Sequence, residues 1–360
     1  MAEGDTLLTN RDTRHAPDCG VGHVRVATQG RLHLGFLDPS ATLGRRFGSL
    51  GLVVGGPRTV VELSWHDGPD DHIEAPDDER ARLAAHLRAL RQALGAGNSP
   101  GQAPARSVHL RLVEALASHA GLGSGTQLAL ATGRAFAELH RLSPTTLELA
   151  RWLGRGLRFG VGIAGFDRGG FILDAGPAPH AADHQVAPVL AHLAFPAPWR
   201  ILLVRHPGVA GLHGQAEREA LRTLAPFPQS LAAQLCHETL MRVLPALHER
   251  DFAAFARGIG QIQATIATYF APAQGGVYSS AAVGRLLNWL HAAGHAGVGQ
   301  SSWGPTGFVF FDSAAAAEAA LADARSANVV DPALALEIVA GWNESAAVHH
   351  VPLAGWHGLR

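Results

Sequence analysis

The stretch "AGLGSGTQLALATGRA" (120–135) decides the fold. Gly121, Gly123 and Gly125 alternate just before a run of helix-forming residues. Glycine lets backbone N–H groups come close to an oxyanion, and the start of a helix carries partial positive charge. Ser124 or Thr126 can cap that helix or donate a hydroxyl. An ordinary glycine-rich turn ahead of a capped helix would look the same. A P-loop would need a following lysine, which this stretch lacks.

No lysine occurs anywhere in the chain, so all 29 basic residues are arginine. That excludes a Schiff-base lysine and a lysine general base. The 360 residues suit one large or two fused domains, and with 47% hydrophobic residues most of the chain is expected to fold. A formal net charge of −1 gives no electrostatic reason to expect a nucleic-acid partner. No apolar run is long enough to span a bilayer. Residues 1–20 are polar, lack the apolar core of a signal peptide, and read as a flexible tail of a cytoplasmic protein. Cys19 and Cys236 are expected to be free thiols.

Outward from the glycine stretch, the pattern is α+β. Alternation over 23–38 predicts a strand pair broken at Gly30, and 47–65 predicts two strands meeting at Gly55, Gly56 and Pro57. Residues 77–94 form an amphipathic helix, 96–104 a loop and 107–115 a strand. A helix over 143–156 has Ser143 as its cap. Residues 160–176 are punctuated by glycine and predict strand and turn, although "GVGIAG" (160–165) matches GxGxxG. A dinucleotide fingerprint would have to open a helix there, and none is expected. After a Pro/His-rich connection at 177–198, a strand at 199–207 leads into helices at 215–225, 229–249, 251–270 and 279–293. A glycine loop then runs into a strand (296–311), followed by a helix (313–325) and a late strand.

Several residues have the right chemistry for a site. Arg31 and His33 share one strand face, with Asp38 at its end. The adjacent Arg45 and Arg46 could grip a phosphate or carboxylate through bidentate bonds. In "GVGQSSWGPTG" (297–307), Gln300, Ser301, Ser302 and Thr306 surround Trp303 with small polar groups. None of the 21 histidines falls in HExxH, and His291 and His295 are four apart only across a helix end, so no histidine metal site is expected.

Taken in order, "GRLHLGFLD", "GRRFGSLGLVV", "HAGLGSGTQLALA", "GVGIAGFDRGGFILDAG" and "GVGQSSWGPTGFVFF" resemble the β-ribofuranosylaminobenzene 5′-phosphate synthases, a branch of the GHMP kinase superfamily. The resemblance runs from about residue 22 to about 325. It implies a two-lobed GHMP kinase-like fold: an S5-domain-2-like N-lobe (21–180) that binds phosphate, and a ferredoxin-like C-lobe (199–345). It implies a reaction that joins 4-hydroxybenzoate or 4-aminobenzoate to phosphoribosyl pyrophosphate, releasing CO2 and pyrophosphate, with Mg2+ and in a homodimer. Residues 121–126 would hold the leaving pyrophosphate. Arg31, Arg45 and Arg46 would take the 5′-phosphate or the carboxylate, and Trp303 would stack on the ring. Asp167 is implied as the base or Mg2+ ligand, with His33 and Asp38 as further catalytic candidates. Phe159 departs from a position that is often small in this family. Two other readings remain open: an ATP-dependent small-molecule kinase, and a non-catalytic metabolite-binding paralogue.

Overall fold

The computed structural model describes residues 21–96, 106–156, 160–179, 186–212 and 214–352. The expected tail with Cys19, most of the 96–104 loop, Phe159 and part of the 177–198 connection lie outside the described residues.

The first lobe is built on β1 (Val21–Asp38) and β2 (Phe47–Trp65). Each is one long strand where two were expected. The register slips between Gln29 and Arg31, so Gly30 marks a bulge that bends β1 without ending it. Next in the chain are β3 (His72–Glu74), α1 (Asp77–Ala96) and β4 (Val108–Glu114), and β4 pairs antiparallel with β2. Next come α2 (Ser124–Leu139), α3 (Thr146–Trp152), α4 (Val161–Arg168), β5 (Phe171–Asp174) and β6 (Val189–Leu193). The cap of α3 is Thr145, not Ser143: its side chain accepts from Glu148 N–H while Glu148 reaches back, forming a capping box.

The segment 161–168 corrects the reading of strand and turn, because it is helix. Its glycines serve packing. A Cβ on Gly165 would lie 2.7 Å from Val53 Cγ2, so the helix can press against β2 only without side chains there.

The second lobe begins with β7 (Arg200–Arg205), α5 (Gly214–Thr223) and α6 (Gln229–Glu238). A π-helical turn (Thr239–Val243) leads into α7 (Leu244–Glu249), then α8 (Phe252–Gln274) and α9 (Ala281–Ala292). The lobe closes with β8 (Val298–Gln300), β9 (Gly307–Phe311), α10 (Ala314–Ser326) and β10 (Ala335–Ala340). The last strand, β11 (Ala347–Pro352), returns to the first lobe and pairs antiparallel with β1.

The first sheet runs β11-β1-β2-β4-β3, with β5 on the other end of β2 and β6 on β5; the second runs β10-β7-β9-β8. The antiparallel second sheet with its helices is the expected C-lobe. One buried core joins the lobes: Leu32, Leu34 and Phe36 of β1 pack with Phe255, Ile259, Ile262 and Phe270 of α8 and with Phe310 of β9. With Ile266 between the last two, these α8 residues recur at three- and four-residue spacing, which puts them on one helix face. This shared core fixes the loop before β9 against the glycine stretch before α2.

Candidate active site

The glycine stretch forms one wall of a cleft of about 660 Å³. Gly123 occupies the N-cap of α2 in a left-handed conformation (φ 80°), with no side-chain cap. Neither Ser124 nor Thr126 therefore caps this helix. The Thr126 and Gln127 N–H groups turn back to Gly123 O, at 3.1 Å each, leaving the Ser124 and Gly125 N–H groups at the helix tip without an acceptor among the described residues. An open helix end lined by Gly121, Gly123, Ser124, Gly125 and Thr126 is suited to an anion.

Three arginines converge on this helix end. Arg31 donates to Gly121 O at 3.0 Å, and its guanidinium would lie 3.3 Å from a Cβ on Gly123. Burial lowers its pKa to about 10, so it stays charged at neutral pH, with Asp174 opposing the shift. A Cβ on Gly125 would lie 3.3 Å from Arg82 Nη2 and 3.5 Å from Arg155 Nη1. Arg82 is held by Glu79 at 2.7 and 2.8 Å and donates to Ser118 at 2.9 Å. Arg155 donates to His86 Nε2 at 3.2 Å, while its buried Nε has no partner among the described residues. Burial, then the charges of Arg155 and Arg82, push His86 down to about 4. The imidazole is therefore neutral at pH 7 and serves Arg155 as an acceptor. Crowding like charges at a positive helix end is unfavourable unless an anion arrives. Glu217 of α5 is the one carboxylate among the described residues lining the cleft.

The opposite wall comes from the loop between β8 and β9. Ser301 Oγ donates to Gly121 O at 2.7 Å and accepts from the His33 N–H at 2.9 Å, tying this loop to both the glycine stretch and β1. A Cβ on Gly304 would lie 2.4 Å from Gly121 N, so the two backbones meet only through glycine. Ser302, with φ 56°, and Trp303 line the cleft beside Gly304. Trp303 is 3% exposed and packs on Phe270 at 4.4 Å between ring centroids. Behind it, His33, Phe36 and Phe270 help line a cavity of about 20 Å³, room for one water. Burial, then the Arg31 charge, push His33 down to about 3, so it too is neutral.

The structure gathers Arg31, Gly121, Gly123, Ser124, Gly125, Thr126, Ser302 and Trp303 on the cleft, with Ser301 bracing it. Gln300 has a bracing role as well: its amide accepts from Ser279 and donates to Ser302 O. Thr306 is fully buried at the end of this loop and does not line the cleft. Three groups of candidates lie elsewhere. Asp38 accepts from Ser40 and Thr42, closing the β1–β2 turn. In that same turn Arg45 donates to Gly176 O, and Arg46 donates to Pro39 O and lies over Phe47. Asp167 is exposed at the C-terminal end of α4, accepts from Thr146 Oγ1 and does not line the cleft. Sequence reasoning missed Arg82, Arg155 and Glu217. The Glu79–Arg82 spacing looks like any surface pair, and Arg155 sits in a "GRG" that reads as a helix end.

Residues 81–171 match the family described as GHMP kinases N terminal domain, and residues 243–330 match GHMP kinases C terminal. The fold is similar to homoserine kinase from Cytophaga hutchinsonii, with a TM-score of 0.61 at 17% identity over 95% of this chain and 100% of that one. It is also similar to mevalonate pyrophosphate decarboxylase from Streptococcus pyogenes, with a TM-score of 0.61 at 13% identity over 90% and 98%. In sequence, the chain is 31% identical over 289 residues to the beta-ribofuranosylphenol 5′-phosphate synthase of Methanothermobacter thermautotrophicus, covering 78% of this chain and 86% of that protein. It is 31% identical over 249 residues to the protein of the same name from Archaeoglobus fulgidus, covering 67% and 75%. The chain belongs to the β-ribofuranosylphenol 5′-phosphate synthase family, built on the GHMP kinase fold.

Proposed function

We propose that this protein joins 4-hydroxybenzoate, or 4-aminobenzoate, to phosphoribosyl pyrophosphate and releases CO2 and pyrophosphate. The product is a β-ribofuranosylbenzene 5′-phosphate, a C-riboside. The observation that carries this reading is the convergence of Arg31, Arg82 and Arg155 on the uncapped end of α2. Such a cleft favours a ligand with several phosphate charges. The relatives are named for the phenol product, which favours 4-hydroxybenzoate as the acceptor.

In this reading the α2 N–H groups, Arg82 and Arg155 hold the pyrophosphate. As the C1′–O bond breaks, its electron pair leaves with the pyrophosphate, and preformed donors stabilise the growing charge. Arg31 donates to Gly121 O, the carbonyl that Ser301 of the second wall also holds, and takes the remaining anionic group, the 5′-phosphate or the benzoate carboxylate. The ring carbon bearing the carboxylate forms the new bond to C1′. Loss of CO2 returns the electron pair of the broken C–C bond to the ring and restores aromaticity. His33 stays neutral, so it can orient a hydrogen-bonding group and is too weak a base to take a proton at pH 7. Trp303 supplies an apolar floor for the ring.

The cleft fits Mg2+ in the way that ion is usually held, by one carboxylate together with substrate phosphates and water. Glu217 would be that carboxylate. When bound, Mg2+ offsets charge on the pyrophosphate. A homodimer working in the cytoplasm completes the reading.

The test uses carboxyl-labelled 4-hydroxybenzoate and 4-aminobenzoate with purified protein, phosphoribosyl pyrophosphate and Mg2+, without ATP. Label release that depends on phosphoribosyl pyrophosphate and yields a C-riboside is the expected result. Folded protein that binds phosphoribosyl pyrophosphate but releases no label from either acid would overturn it.

A further inference from the structure

The outer edge of the first sheet holds a second cluster of functional groups, away from the cleft. Strands β3 and β4 pair in parallel there, His72 opposite His109 and Glu74 opposite Arg111. Residues two apart in a strand share a face, so all four side chains lie on one side of the sheet. One ligand atom each from His72, Glu74 and His109 lies within 4.8 Å of the others. Glu74 Oε1 is 3.0 Å from His109 Nε2 and 3.7 Å from His72 Nε2. Around a tetrahedral zinc ion with bonds of about 2.0–2.1 Å, neighbouring donor atoms are about 3.3–3.4 Å apart. Two of the three edges already bracket that value, and small side-chain rotations close the third.

We propose that His72, Glu74 and His109 form a site for one zinc-class divalent cation. Two imidazoles and one carboxylate with an open fourth position are a zinc donor set, whereas magnesium prefers oxygen ligands alone. Arg111 Nε lies 3.8 Å from Glu74 Oε2, which orients the carboxylate from behind and leaves Oε1 for the metal. The His66 ring borders the site, 5.8 Å from that of His72 between centroids. His72 and Glu74 are exposed, so the ion has a direct path of entry. None of the three ligands lines the cleft, so the cation acts on structure. Strand β3 has only three residues and sits at the sheet edge. A bound cation fastens it to β4 just before α1, whose first turn carries the Glu79 that holds Arg82. Linear spacing hides this site because its ligands come from two strands separated by a helix.

The experiment uses tag-free, full-length protein stripped with chelator and titrated with Zn2+ by calorimetry, alongside Co2+ absorption. Wild type is expected to take up one Zn2+ per chain and to melt higher with Zn2+ than without. His109→Ala and Glu74→Gln should each weaken that binding about tenfold or more, since loss of even an outer-shell partner costs roughly 10–100-fold. Both variants should melt with the metal-free wild type, and the four-coordinate Co2+ bands should disappear in His72→Ala. Equal Zn2+ affinity in wild type and both variants would overturn the proposal, as would wild type showing no saturable uptake.

Discussion

Two glycine-rich stretches open helices, and their helix ends have opposite fates. At α2, Gly123 caps in the left-handed region and the first N–H groups face the cleft. At α4, the buried carboxylate of Asp174 plugs the end, accepting from Gly160 N at 2.9 Å and Val161 N at 3.3 Å. Asp174 also accepts from Ser49 and Gly176. Burial raises its pKa, and these four hydrogen bonds pull it back. A glycine string alone does not distinguish a binding site from a packing device. The distinction lies in whether the protein supplies its own anion.

Removing the plug should have the largest effect. Asp174→Ala strands four donors that were paired, and is expected to cost about 3 kcal/mol or more in urea denaturation. Wild-type stability in that variant would erase the contrast between the two helix ends.

Next come the arginines at the open end. Arg82→Ala or Arg155→Ala removes charge-assisted bonds worth about 1.5–3 kcal/mol each. Either should weaken phosphoribosyl pyrophosphate binding by roughly 10- to 100-fold in calorimetry. An unchanged affinity would move the phosphate site elsewhere.

A third effect follows from the neutral histidines. His33 and His86 have folded pKa values of about 3 and about 4, below the ordinary 6.5. The unfolded chain therefore binds more protons between these values. Their contribution to stability is complete above about pH 6.5 and is lost as pH falls, by up to about 1.4 kcal/mol per pH unit for each histidine. Denaturation of His86→Gln between pH 4 and 6.5 should show a shallower slope than wild type. Parallel slopes would mean that His86 is not held neutral beside Arg155.

The smallest effect is expected outside both helix ends. Asp167→Asn removes an exposed carboxylate bonded to Thr146, and turnover should stay within about twofold, the range of a surface change. A tenfold loss of turnover would return Asp167 to the mechanism.

The order of elements was largely legible, because periodicity and caps are local signals. The helix at 161–168 was not, since its glycines answer to Val53 and Thr126 across the fold. Nor was β11, which pairs with the first strand of the chain. In the site, the glycine stretch and Arg31 could be read directly. Arg82 and Arg155 could not, because their meeting at Gly125 depends on how α1 and the "GRG" turn pack around α2. Arg45 and Arg46 had the right chemistry, but Arg46 donates to Pro39 O of its own turn and Arg45 to Gly176 O just beyond β5.

The most direct test of the open helix end is equilibrium binding of phosphoribosyl pyrophosphate to wild type, Gly123→Ala and Gly123→Val. Any side chain at Gly123 meets both a positive φ and the Arg31 guanidinium. Saturable binding by wild type is expected, weakened about tenfold or more in folded Gly123→Ala and lost in Gly123→Val. Equal affinity in wild type and Gly123→Ala would contradict it.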